Sequence, residues 1–226
     1  MGTLSRIVPA PLRPILRRAL RRAQHLTTRR GTRDDLQQYW RTASEAGNRP
    51  DDYLDGAERS GFLVRLVAAL PERPMRVFEV GCNVGRNLQY LREAGYRALE
   101  GVEINADAVA LMKTTYPEMA RESRIHVGPV EEILPALPDH SYDLVFSMAV
   151  LEHIHKDSEW VFEYIGRLSA RHIITIEDEE CVSSRHFPRN YRRVFERYGF
   201  RQTSEEDASA VRGLGPGFVA RVFARA

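Results

Sequence analysis

The stretch FEVGCNVGRNLQYL, residues 78–91, decides how this chain folds. An apolar run from Val77 to Val80 meets Gly81, and the pattern beyond is amphipathic, with Leu88 and Leu91 at helical spacing. A strand therefore passes into a helix across a loop that carries Gly81 and Gly85. Glycine admits a positive φ and lets a ligand approach backbone where a Cβ would collide. Asn83 stands between the two glycines. Asparagine tolerates a left-handed conformation better than most side-chain-bearing residues, so the corner is kept. Taken alone, this corner is equally a plain turn that binds nothing.

Outward from the corner the chain alternates. Strands are expected at 76–80, 98–103, 124–127, 142–147 and 172–177, with helices near 86–94, 106–116, 157–168 and 187–198. The tail PGFVARVFARA adds a last strand, paired with another near 200–204 after Gly199. This series predicts an α/β fold: a doubly wound, mostly parallel sheet with helices on both faces and ligands beyond the carboxyl ends of the strands. Upstream, RDDLQQYW opens as a capped helix, GNRPDDYL is a turn, and GAERSGFLVRLVAAL is a helix stopped by Pro71. A second strand, in ALEGVEIN, ends at Glu103, 22 residues after Gly81. A carboxylate there can accept both ribose hydroxyls of a nucleoside held by the first loop. The bland alternative is a solvated strand end.

Composition bounds the partners. The 226 residues are 43% apolar and 28% charged, enough for one sizeable core plus an extension. A net charge of +2 gives no strong nucleic-acid signal. Two distant cysteines, Cys82 and Cys181, imply neither a disulfide framework nor a zinc site, and a reducing cytoplasm is the expected compartment. No run approaches the roughly 18 apolar residues of a membrane span. Charge is uneven, however: Met1 to Arg33 holds nine arginines and no acid. Ile15, Ala19, Ala23 and Leu26 form one helical stripe there. Such an arm fits docking on the domain or on a partner subunit of a homodimer, an anionic membrane surface or nucleic acid, or a transit peptide.

The nucleoside is not a nicotinamide dinucleotide of the short-chain type, since no tyrosine has lysine four positions on. VFEVGCNVGRN, GVEIN, HVGPVEEI and YDLVFSMAVLEHI, spanning about residues 75–180, instead resemble the class I S-adenosylmethionine-dependent methyltransferases. The resemblance implies their Rossmann-like, seven-stranded fold, with residues 1–33 as an arginine-rich arm, 34–74 as helices covering the active site, and 75–226 as the cofactor-binding domain. It also implies roles. Glu79, Gly81, Asn83 and Gly85 would hold the methionine end of S-adenosylmethionine, with Asn87 assisting. Glu103 would bind the ribose, and Ile104 would pack on the adenine. The family's usual Gly-Asp pair after the third strand is Gly128-Pro129 here, so Glu131 and the Val130 N–H are the candidates at the adenine. Ser147 and Met148 would line the methionine arm.

Methyl transfer from a sulfonium needs an aligned nucleophile and, for a hydroxyl, loss of a proton. LEHIHKD follows the fourth strand, so His153 is the candidate general base, with His155 second; a purely structural histidine is the alternative. The fifth strand ends in IITIEDEE. Glu177 and Asp178, with Glu152 or His153, form a candidate Mg2+ set, and a solvated loop is the plainer explanation. RHFPRNYRRVFERYGF and NRPDDYL make the chain most similar to actinobacterial sugar O-methyltransferases such as those of methylmannose polysaccharide synthesis, acting on a glycan or glycolipid hydroxyl. A small secondary metabolite or quinone as acceptor, and a non-catalytic scaffold of the same fold, are the rival expectations.

Overall fold

Val77, Phe78 and Val80 are fully buried, as a central strand covered on both faces requires. The computed structural model describes residues 31–45 and 47–226. Its strands are β1 (Arg76–Val80), β2 (Ala98–Glu103), β3 (Arg124–Val127), β4 (Tyr142–Met148), β5 (Ser169–Asp178), β6 (Phe200–Asp207) and β7 (Phe218–Arg225). They form one sheet in the order β3-β2-β1-β4-β5-β7-β6. The first five run parallel, while β7 inserts between β5 and β6 and is antiparallel to both. The strand order reverses between the parallel neighbours β1 and β4, which leaves a crevice above their carboxyl ends.

Eight helices flank the sheet among the described residues: α1 (Arg33–Arg41), α2 (Ala57–Ala68), α3 (Arg86–Glu93), α4 (Ala106–Thr115), α5 (Pro117–Glu122), α6 (Val130–Ile133), α7 (Val161–Leu168) and α8 (Tyr191–Glu196). Leu63, Leu66, Leu88 and Leu91 from α2 and α3 pack with Val77 and Phe146 on one face. Phe162, Ile165 and Phe195 from α7 and α8 pack with Phe78, Val80 and Val145 on the other. Each such side chain contributes about 1.5–3 kcal/mol when buried. Capping sets the ends. Thr32 and Asp35 form a reciprocal capping box at α1, and Asn105 accepts the N–H groups of Asp107 and Ala108 at α4.

The boundaries differ from expectation in places. Expected over 187–198, α8 begins only at Tyr191, because Asn190 accepts the Arg193 N–H and fixes the start there. The helix expected over 157–168 opens as a 3-10 turn, Lys156–Ser158, with the α-helix itself starting at Val161. Short helices α5 and α6 were not expected. The arginine-rich arm, with its stripe from Ile15 to Leu26, lies outside the described residues. Among the described residues, no helix is long and apolar enough to cross a membrane.

Candidate functional site

The corner after β1 has the backbone that its residues permit: φ is +71° at Gly81, +46° at Asn83 and +74° at Gly85. The N–H groups of Gly81 and Cys82 both donate to the Val102 carbonyl at 2.9 Å, tying the loop to the end of β2. Both glycines answer to neighbouring side chains. A Cβ at Gly81 would fall 2.6 Å from Val150 Cγ2, and one at Gly85 would fall 2.6 Å from Met119 Cε. Gly81 lines the crevice and Gly85 does not. The expectation that Gly85 makes room for a ligand is therefore corrected: it makes room for Met112 and Met119 beneath the loop.

The crevice above β1, β2 and β4 encloses about 1020 Å³, its open mouth included. Of the residues expected at the cofactor, Glu79, Gly81, Asn83, Asn87, Glu103, Ile104, Val130, Glu131 and Met148 line it, and His153 stands at its other end with His155. Ser147 does not. Its hydroxyl turns away from the crevice and donates to Glu177 Oε1 at 2.7 Å, which corrects that assignment.

The loop end is held by a buried polar chain. Arg86 donates to the carbonyls of Tyr53 (2.6 Å) and Asp55 (3.1 Å) and to Ser60 Oγ (2.9 Å). Ser60 donates to Asn87 Oδ1 (2.8 Å), and Asn87 Nδ2 donates to Glu79 Oε1 (2.7 Å). Burial pushes the Glu79 carboxyl up to about 8, although Asn87 and Arg86 favour its ionised form. Burial likewise raises Glu103, opposed by the N–H groups of Asn105 (2.8 Å) and Asn83 (2.7 Å) on its two oxygens. Glu79 Oε2 and Asn83 Oδ1 are buried acceptors with no partner. Two unmet acceptors on one wall are suited to a cationic donor group.

α1 supplies Leu36, Gln37 and Trp40 to the wall, and Tyr53, whose carbonyl accepts from Arg86, also lines the crevice. Trp40 packs on His153 with ring centroids 4.6 Å apart, and its Nε1–H is buried without a partner. His153 Nδ1 donates to the Arg185 carbonyl at 2.8 Å. Burial, then the neighbouring His186, lowers its imidazole to about 3. Burial therefore favours the neutral imidazole, with Nε2 as its unprotonated nitrogen.

The acidic residues separate. Glu177 is fully buried and accepts the N–H groups of Val150 (2.9 Å) and Glu152 (3.4 Å) as well as the Ser147 hydroxyl. Asp178 Oδ1 accepts the N–H groups of Glu180 and Cys181, both at 2.8 Å. Both carboxylates brace backbone. Among the described residues, the group whose ligand atoms converge is Glu152, His153 and His186, so the expected set with Glu177 and Asp178 is corrected. Burial, then the charge of Glu177, raises the Glu152 carboxyl.

Sequence reasoning missed Ser60, Arg86, Trp40 and His186. Trp40 had a local signal, four positions after Leu36 on the same helix stripe. Arg86 stands beside Asn87 in the loop stretch itself, whereas Ser60 and His186 meet the site only through contacts distant in sequence.

Residues 78–171 match the family model described as a methyltransferase domain. The matched stretch, from β1 into β5, resembles a methyltransferase domain. No curated protein matches the sequence significantly. Among solved structures, magnesium protoporphyrin IX methyltransferase from Synechocystis PCC 6803, with bound SAH, superposes with a TM-score of 0.65 at 14% identity, covering 86% of this chain and 100% of that one. A SAM-dependent methyltransferase from Leishmania major gives 0.64 at 18%, covering 84% and 81%. The [4+2]-cyclase SpnF gives 0.58 at 14%, covering 75% and 80%. At these identities the likeness establishes the fold of the class I methyltransferases and leaves the reaction to the site. The residues of this crevice fit S-adenosylmethionine. Glu79 Oε2 and Asn83 Oδ1 can accept from its ammonium, and Glu103, steadied by two N–H groups, can take the ribose hydroxyls.

Proposed function

We propose that this S-adenosylmethionine-dependent methyltransferase acts on a hydroxyl oxygen, and that the hydroxyl belongs to a sugar of a glycan or glycolipid. The observation that carries the reading is Trp40, whose ring walls the acceptor end while its buried N–H lacks an acceptor. An unmet buried donor costs about 1–3 kcal/mol. An oxygen-bearing acceptor would relieve it, whereas a wholly apolar one would not. Gln37 and Arg33, from the same helix as Trp40, add hydrogen-bonding groups to its ring face, as a polyol with its C–H faces and hydroxyls demands.

Bound in this crevice, the cofactor supplies an electrophilic methyl on a sulfonium that departs as a neutral thioether. The crevice would hold an acceptor hydroxyl in line with that methyl, and transfer to its oxygen would be balanced by loss of the hydroxyl proton to solvent. Glu79, Asn83 and Glu103 fix the donor end. Met148, Ala149 and Val150, at the end of β4, line the crevice beside Gly81. Ala149 holds φ at +56°, an uncommon value for alanine, and its N–H donates to the Ile176 carbonyl at 2.9 Å. Holding both reactants in line is the main service such a site provides.

A methyl-labelled donor presented with a panel of oligosaccharides, glycolipids, phenols and quinols tests this. Label is expected in base-stable ethers of the sugar acceptors. Trp40→Ala should raise acceptor KM about tenfold and leave S-adenosylhomocysteine affinity within about twofold. Label confined to phenols or quinols would overturn the sugar assignment, and absence of cofactor binding by calorimetry would favour a scaffold.

A further inference from the structure

Three side chains at the crevice's His153 converge although they come from two separate loops. Glu152 and His153 lie in the 3-10 turn Leu151–His153 after β4, and His186 lies between β5 and α8. Glu152 Oε1 is 3.6 Å from His153 Nε2 and 3.7 Å from His186 Nε2, and one ligand atom from each residue falls within 4.8 Å of the others. Ligands bonded at about 2.1 Å to one tetrahedral ion sit about 3.4 Å apart. Shifts of a few tenths of an ångström would close the two shorter edges of this triangle to that spacing.

The far side of each group is already engaged. His153 Nδ1 is 2.8 Å from the Arg185 carbonyl, which can only accept. The hydrogen therefore sits on Nδ1, and Nε2 presents a lone pair. His186 Nδ1 is 2.7 Å from Ser183 Oγ, which accepts the Arg185 N–H at 3.1 Å and keeps a second lone pair for His186. The second oxygen of Glu152 accepts the Asp178 N–H. Outer contacts of this kind fix the orientation of metal-binding imidazoles and carboxylates.

We propose that Glu152, His153 and His186 bind one divalent first-row transition ion of the Zn2+ or Mn2+ kind. Two imidazoles with one carboxylate suit such ions, whereas Mg2+ prefers an all-oxygen shell. The site adjoins the cavity wall that His153 shares with Trp40. Acceptor oxygens entering there would complete the coordination, and an ion-bound hydroxyl releases its proton to water more readily before it takes the methyl. That role toward the acceptor rests on the O-methylation reading above; ion binding itself does not.

The test uses untagged full-length protein stripped with a chelator and studied without donor or acceptor. Zn2+ is titrated by calorimetry, and Co2+ by its visible absorption. One equivalent should bind, and millimolar Mg2+ should not compete. His186→Ala and the milder His186→Gln should weaken Zn2+ binding more than about 100-fold. S-adenosylhomocysteine affinity, measured on the same samples, should stay within about twofold and shows that each variant is folded. Failure of folded wild type to take one equivalent, or equal binding by both variants, overturns the inference. If S-adenosylhomocysteine fails to bind while the ion binds through His186, the donor reading falls and the ion site is upheld.

Discussion

Replacing Glu79 by glutamine probes the donor pocket through pH. Glu79 is 2% exposed, and its carboxyl is pushed by burial from 4.5 up to about 8. Between those values the folded chain holds a proton that the unfolded chain has released. Stability therefore falls as pH rises, by about 1.4 kcal/mol per unit. Over about 3.5 units the loss reaches about 5 kcal/mol. Below pH 4.5 both states are protonated and the contribution vanishes; above about 8 it is constant. Glutamine resembles the protonated acid in shape, keeps an acceptor for Asn87 Nδ2 and has nothing to titrate. The stability gained by Glu79→Gln should thus be near zero at pH 5 and grow to several kcal/mol by pH 8–9, read from urea denaturation at each pH. Glu152 and Glu177, also raised by burial, are common to both proteins and drop out of the difference. Ligand affinity should move the opposite way. Holding an ammonium requires the ionised carboxylate, so wild-type affinity for S-adenosylhomocysteine should rise about tenfold per unit from pH 6 to 8. The variant should be weak and nearly flat. Parallel stability curves for the two proteins would refute the buried-carboxylate reasoning.

Two further substitutions test the scaffold around this pocket. Ser60→Ala strands Arg86 Nε and removes a donor to Asn87, and should cost about 1–3 kcal/mol in denaturant unfolding. Gly85→Ala forces a positive φ on alanine and drives its Cβ to 2.6 Å from Met119, so calorimetric unfolding should reveal a loss of about 2–4 kcal/mol.

The sheet was legible because its signals are local. Val77–Val80 with Gly81, and GVEIN ending at Glu103, carry strand, turn and terminal carboxylate within a few residues each. Asn83 announced a left-handed turn, and φ there is +46°. The start of α8 was placed too early although RHFPRN carries Pro188 and Asn190: Asn190 is the cap, and the helix begins only after it. The acceptor end was harder still. His186 reaches Glu152 and His153 because β5 runs beside β4 in the sheet, and no spacing rule relates the loops that follow them. Ser147 misled for a related reason. A strand end offers two faces, and the chain gives its hydroxyl to Glu177 on the neighbouring strand.

The loop that carries His186 is fastened to α1 and Glu45 on the outside of the molecule. Arg185 lies 4.2 Å over the Tyr39 ring and 3.3 Å from Glu45, while Tyr39 donates to the same Glu45 carboxylate at 2.9 Å. Such wet, charged fastenings weaken as ions accumulate, whereas the sequestered Arg86–Ser60–Asn87 relay is shielded from them. Ionic strength should consequently tune admission of the molecule to be methylated while leaving custody of the methyl source almost untouched.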